Sequence, residues 1–134
     1  MVLRAKDFLI LIADDDYDDQ SFISDALKKK NFGGIIECVA DGNKLIDYLK
    51  EPKPRPALIL LDLNMPFKDG YVALAEIKQD PQLREIPTVV LTSSTNREDE
   101  SKCYKLGCDK FLHKPMSMDE YEDIASGLLN FIER

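Results

Sequence analysis

Carboxylate, hydroxyl and ammonium side chains recur in this sequence where short apolar runs end. Asp14, Asp15 and Asp16 follow the run from Phe8 to Ala13, and Asp62 follows Ala57 to Leu61. Thr92 and Ser93 follow Ile86 to Leu91, and Lys114-Pro115 follows the shorter segment Lys110 to His113. Brought together, such carboxylates repel: at ~4 Å and an effective dielectric near 20, each like-charged pair costs roughly 4 kcal/mol before screening. A divalent cation removes that cost. All-oxygen donors suit Mg²⁺, which takes one or two carboxylates, a carbonyl and waters and leaves room for a phosphoryl oxygen. Beside such a metal, Asp62 has the chemistry of a nucleophile toward phosphorus, forming an acyl phosphate. Lys114 would add a point charge and Thr92 a hydroxyl for the remaining phosphoryl oxygens. Catalysis of this kind is mostly positioning and charge neutralisation.

The elements that must position these groups can be read from periodicity. Phe8–Ala13 and Ala57–Leu61 are apolar at every position, the pattern of strands covered on both faces. Ile86–Leu91 is a third such segment, with Pro87 tolerable only at its start. Ile35–Ala40 and Lys110–His113 are shorter and more polar, which suits edge strands. Between them lie helical stripes: Phe22, Ile23, Ala26 and Leu27; Leu45, Ile46 and Leu49; Ala73, Leu74 and Ile77. Tyr121, Ile124, Ala125, Leu128, Leu129 and Ile132 form the clearest one. Arg97 to Leu106 is the weakest helix, with only Cys103 and Leu106 to face a core. Breakers fall at Asp41-Gly42, 52–56, Asp69-Gly70, Asp80-Pro81 and Lys114-Pro115. Five strand–helix units in a row predict an α/β fold: a doubly wound five-stranded parallel sheet, order 2-1-3-4-5, flavodoxin-like, with five helices. Ligands in such sheets bind at the carboxyl ends of the strands, where the strand order reverses. The reactive residues above occupy those ends.

Composition bounds the rest. The chain has 134 residues with 18 Lys and Arg against 25 Asp and Glu, a net charge of −7, which argues against a nucleic-acid partner. Apolar residues make up 44% and charged ones 32%, enough for one globular domain with a core. No apolar run approaches the ~18 residues of a membrane helix, and no signal-peptide layout opens the chain, so a cytoplasmic location is expected. Cys38, Cys103 and Cys108 have neither disulfide-scaffold nor zinc spacing and read as reduced thiols. The lone His113 cannot build a histidine cluster. Asp14-x-Asp16-x-Asp18 opens like an EF-hand loop, but its sixth position is Asp19 rather than Gly and its twelfth is Asp25 rather than Glu. Asp16, Asp18 and Asp19 read instead as charge at a helix N-terminus.

Taken jointly, these motifs resemble the receiver domain of two-component response regulators, of the chemotaxis single-domain type. Leu11-Ile12-Ala13-Asp14-Asp15-Asp16 matches the acidic end of the family's first strand. Leu60-Leu61-Asp62-Leu63-Asn64-Met65-Pro66 with Asp69-Gly70 matches the phosphoacceptor segment, and Leu91-Thr92-Ser93 and Lys114-Pro115 match the switch threonine and the lysine. The match runs from about Phe8 to the C-terminus, so one receiver domain over 1–134 without an output domain is expected. The resemblance implies Asp62 as phosphoacceptor, with Asp14, Asp15, Asp62 and the Asn64 backbone carbonyl holding Mg²⁺. It implies Thr92 and Lys114 as phosphoryl-binding groups, Phe111 as the switch aromatic, and a cis Lys114–Pro115 bond. The phosphoryl donor would be a histidine kinase or histidine phosphotransfer protein. The output would pass in trans to a downstream protein, or to a second copy of the chain, through the fourth helix, fifth strand and fifth helix. Arg97, Lys102, Lys105, Phe111, Met118, Tyr121 and Glu122 are expected on that surface. Gln82 to Pro87 and the Leu91-Thr92-Ser93-Ser94 run resemble the small regulators paired with phytochrome-type histidine kinases.

Two rival classes share features. An aspartyl-nucleophile phosphatase would carry a second Asp two residues after the first, where this chain has Asn64. An FMN-binding flavodoxin-like carrier needs a Ser/Thr/Gly-rich phosphate loop after the first strand, where this chain has five acids between 14 and 19.

Overall fold

The computed structural model describes residues 8–52 and 54–132. Residue 53 of the Pro/Lys/Arg stretch and the N-terminal residues 1–7 lie outside the described residues. Five strands, β1 (Leu9–Ala13), β2 (Ile35–Val39), β3 (Leu58–Leu61), β4 (Thr88–Thr92) and β5 (Lys110–His113), alternate with five helices. These are α1 (Tyr17–Lys29), α2 (Gly42–Lys50), α3 (Gly70–Gln79), α4 (Arg97–Leu106) and α5 (Met118–Ile132). All strand pairs are parallel and the order is β2-β1-β3-β4-β5, as the alternation predicts.

Alternation along each strand divides the core in two. Leu11, Ala13, Ile59, Leu61, Val90 and Phe111 pack against α2, α3 and Cys103 of α4. Ile10, Ile12, Leu58, Leu60, Val89 and Leu91 pack against α1 and α5. The central strands β1, β3 and β4 are buried at every position, whereas β2 has no buried residue and β5 has only Phe111 buried. This is the difference between interior and edge strands in a sheet covered on both faces.

Helix starts are set by carboxylates and an amide. Asp16 accepts hydrogen bonds from the Asp18 and Asp19 N–H groups, Asp41 from Lys44, Asp69 from Val72 and Asn96 from Glu98. Each satisfies an orphan donor of the first turn. α4 ends at Gly107, whose φ of 108° supplies the left-handed cap. Pro87 precedes β4 rather than entering it, so the ladder keeps its donors.

Candidate functional site

The register brings the reactive residues to one edge. Ala13 is paired with Leu61, and the Asp62 N–H donates to the Ala13 carbonyl at 2.9 Å, so Asp14 and Asp62 leave neighbouring strands side by side. Thr92 is paired with His113, and the Lys114 N–H donates to the Thr92 carbonyl at 2.7 Å. The loop after β3 is drawn in by Gly70, whose N–H donates to the Leu63 carbonyl. A Cβ on Gly70 would sit 2.3 Å from the Asp62 carbonyl oxygen, so only glycine permits this approach.

Lys114 Nζ lies 2.9 Å from Asp14 Oδ2, 2.9 Å from Asp62 Oδ2 and 2.7 Å from Asp19 Oδ2. Both Asp14 and Asp62 are buried, and Asp15 is exposed at the mouth. One carboxylate oxygen from each of Asp14, Asp15 and Asp62 falls within 4.8 Å of the others. Three carboxylates thus contact one ammonium and Asp15 adds a fourth beside them, and the surplus negative charge with all-oxygen donors fits a hard divalent cation. Burial pushes the Asp14 carboxyl up to about 6, against the lowering pull of the Asp16 N–H and of Lys114. Burial also opposes the Lys114 charge, but hydrogen bonds to Asp19, Asp14 and Asp62 outweigh it and hold its pKa above the ordinary lysine value.

Thr92 is fully buried, and its hydroxyl oxygen faces the Ser94 N–H at 3.4 Å. Asn64 is exposed, with its N–H donating to Asp62 Oδ1 at 3.3 Å. Phe111 is buried on the α4 side, edge-on to the His113 ring, with its N–H bonded to the Tyr104 hydroxyl. His113 is an exposed neighbour of Lys114 and bonds the Ser94 carbonyl through Nδ1.

Three expectations need correction. Among the described residues no peptide bond is cis, so Lys114–Pro115 is trans, the intrinsically preferred isomer of an X–Pro bond. Phe111 and Tyr121 are buried, so of the residues expected on that face Arg97, Lys102, Lys105, Met118 and, in part, Glu122 are open to a partner. Asp19 is more than helix N-terminal charge, since it is the shortest of the three contacts of Lys114. Gln20 is likewise a residue the sequence reading missed; its side-chain amide donates to the Asp14 carbonyl from a buried position. The signal available for both was their place in the first turn of α1, directly above the acidic strand end. A separate cleft of about 520 Å³ between α2 and α3 is lined by mixed charges and lies away from these carboxylates.

Comparison with known proteins turns this geometry into a family assignment. The family described as response regulator receiver domain matches residues 10–126. The chain belongs to that family. As a receiver, it is 37% identical over 128 residues to response regulator Rcp1 of Synechocystis sp., covering 92% of this chain and 87% of that protein. It is also 37% identical over 124 residues to the probable methanogenesis regulatory protein FilR2 of Methanothrix harundinacea, covering 89% and 80%. Among solved structures, the phosphorylated cyanobacterial phytochrome response regulator RcpA superposes with a TM-score of 0.87 at 36% identity over 92% of each chain. The Mn²⁺-bound form of response regulator Rcp1 superposes at 0.84, with 36% identity over 92% of this receiver and 93% of that chain. The receiver is therefore a two-component response regulator, a signalling switch with the flavodoxin-like order anticipated above. Among the described residues no helix is long and apolar enough to cross a membrane.

Proposed function

We propose that this receiver takes a phosphoryl group from a phosphohistidine of a histidine kinase or histidine phosphotransfer protein onto Asp62, in a Mg²⁺-dependent reaction. The observation that carries the reading is the Lys114 ammonium seated 2.9 Å from Asp62, with Asp14 and Asp15 beside it. An Asp62 carboxylate oxygen forms the new O–P bond while the P–N bond of the donor breaks, and the P–N electron pair stays on the leaving imidazole nitrogen, which takes its proton from solvent water. Asp14, Asp15, Asp62 and the Asn64 carbonyl would hold a Mg²⁺, which would supply charge neutralisation for the phosphoryl oxygens. Lys114 is already charged and oriented, so it can pair with a phosphoryl oxygen without gaining a proton. Asp19, 2.7 Å from the ammonium, helps to hold it at the site. Thr92 donates its hydroxyl to another phosphoryl oxygen.

The modification adds about −1.5 to −2 of charge, and the movement of Thr92 that answers it reaches α4, β5 and α5. Phe111 adjoins that route, and the exposed Arg97, Lys102, Lys105 and Met118 form the surface offered to a target in trans or to a second copy. The same site promotes loss of the phosphoryl group to water, which resets the switch. The likeness to Rcp1 and to the phytochrome response regulator RcpA over most of each chain supports a reading on the pattern of the small phytochrome-associated regulators. The test is incubation with Mg²⁺ and acetyl phosphate followed by intact-mass measurement. One phosphoryl adduct is expected on wild type, none with chelator and none on Asp62→Asn. An undiminished adduct on Asp62→Asn would overturn the assignment.

A further inference from the structure

The carboxylate of Asp99 joins the start of α3, which follows the Asp62 loop, to the loop that follows Thr92 at the end of β4. Asp99 lies in the first turn of α4, and its Oδ1 accepts from the Tyr71 hydroxyl while its Oδ2 accepts from the Ser94 hydroxyl. Tyr71 directly follows Gly70, the residue packed on the Asp62 carbonyl. Ser94 lies two residues beyond Thr92, and its N–H points at the Thr92 hydroxyl oxygen. The ring of Tyr71 is held from its other side by Lys102, whose Nζ lies 4.0 Å from the ring centroid. The Ser94 carbonyl is bonded to His113 and its hydroxyl also receives the Asn96 N–H, so Ser94 is tied at every polar atom.

Thr92 cannot turn its hydroxyl toward a group on Asp62 without carrying or releasing the Ser94 N–H. Ser94 in turn cannot follow without leaving Asp99 or drawing α4 with it. We propose that Asp99, bridging the Tyr71 and Ser94 hydroxyls, is a latch that holds the loop after β4 in its resting position and opposes the movement of Thr92 toward Asp62. The inference rests on the receiver reading for its consequence, not for its geometry. Both hydrogen bonds favour the ionised carboxylate and hold the Asp99 pKa below its usual value, while burial and the neighbouring Asp99 charge keep the Tyr71 phenol protonated. The latch is therefore charged throughout the physiological range, and its strength is that of a charge-assisted bond. Tyr71 and Asp99 act here as positioning residues, with no contact to the reacting atoms.

Tyr71→Phe tests this with little disturbance, because it keeps the ring over which Lys102 lies and removes one hydroxyl. Amide hydrogen exchange on the full chain should accelerate about tenfold over residues 93–100, the scale of one lost charge-assisted bond, with β1 and α1 unchanged. Asp99→Asn should do the same, while Ser94→Thr, which retains a hydroxyl, should exchange like wild type. In Mg²⁺, both latch variants should bind beryllofluoride, the phosphoryl analogue, several-fold more tightly than wild type. Wild-type exchange over 93–100 in Tyr71→Phe and Asp99→Asn would overturn the latch. Faster exchange with unchanged or weaker beryllofluoride affinity would overturn its role in opposing Thr92. Failure of the wild type itself to bind beryllofluoride would bring down the receiver reading instead, and the exchange measurement would still decide whether the latch exists.

Discussion

Asp14 is buried and Lys114 half-buried, and burial works against the charge of both. Lys114 is met by three carboxylates that outweigh its burial and it keeps its proton, whereas for Asp14 burial outweighs the Asp16 N–H and its share of the single ammonium and pushes the carboxyl up to about 6. The sign of the consequence follows from linkage. An unfolded Asp14 takes up its proton near the ordinary 3.8 and the folded one near 6, so the folded state binds the proton more tightly between those values. In chelator, stability should therefore rise as pH is lowered from 7.5 through 6, where other carboxylates contribute little. Asp14→Asn should remove that rise and stabilise the metal-free protein at pH 7 by on the order of 1–3 kcal/mol, water at the mouth screening part of the effect. Urea denaturation at several pH values checks it, and a flat profile for wild type would contradict the assignment. At this scale the sequence was readable where a reactive residue ends a strand: Asp14, Asp62 and Lys114 converge as their positions suggest. It was not readable where partners are distant in the chain. Asp19 meets Lys114 across 95 residues, and the Tyr71–Asp99–Ser94 bridge depends on how α3 and α4 pack, which no local pattern encodes.

Elements hold these residues in place through their ends. Gly70 opens α3 against the backbone of Asp62 and Leu63, and Asp69 caps the same turn. The two contributions can be separated. Asp69→Ala should cost about 1 kcal/mol, the usual value of an N-cap, and leave the phosphorylation rate near wild type. Gly70→Ala should cost about 2–3 kcal/mol and slow phosphorylation as well, because its Cβ can be housed only by moving the Asp62 loop. Thermal melts with acetyl phosphate kinetics compare the pair; equal effects would contradict the close-approach argument. At the opposite end of the sheet, Lys78 Nζ donates to the Arg84 and Ile86 carbonyls at 3.0 and 2.9 Å and pairs with Asp109, which also receives the Thr88 N–H. Lys78→Met should lose about 1–3 kcal/mol of stability with phosphorylation unaffected, since the strand starts it secures lie far from the carboxylates. Element types and order followed from periodicity. Three strands begin a residue or two inside the apolar run, as at Pro87, whereas β4 stays paired one residue beyond it, to Thr92. α4, with only Cys103 fully buried, was the least evident helix; its cap by Asn96 and its end at Gly107 define it better than its apolar face.

The whole chain carries a net charge of −7, and its site concentrates four carboxylates around one lysine. Folding assembles that arrangement, so a cation that binds it binds the native state alone and must stabilise the entire molecule. The gain is about 2.7 kcal/mol when Mg²⁺ exceeds its dissociation constant a hundredfold, which for a domain of this size raises the melting temperature by roughly 10 °C. Screening of the overall negative charge would also stabilise, but NaCl at matched ionic strength supplies it equally and cannot replace a coordinated ion. Asp15 separates the two effects. It is exposed and is not among the three carboxylates on Lys114, so Asp15→Asn should leave the metal-free melt within about 1 kcal/mol of wild type and reduce the Mg²⁺-dependent rise sharply. Asp62→Asn should reduce it too, whereas Asp18→Asn, an exposed helix-start charge, should keep it. A rise reproduced by NaCl, or one that survives both Asp15→Asn and Asp62→Asn, would place the cation elsewhere on the acidic surface.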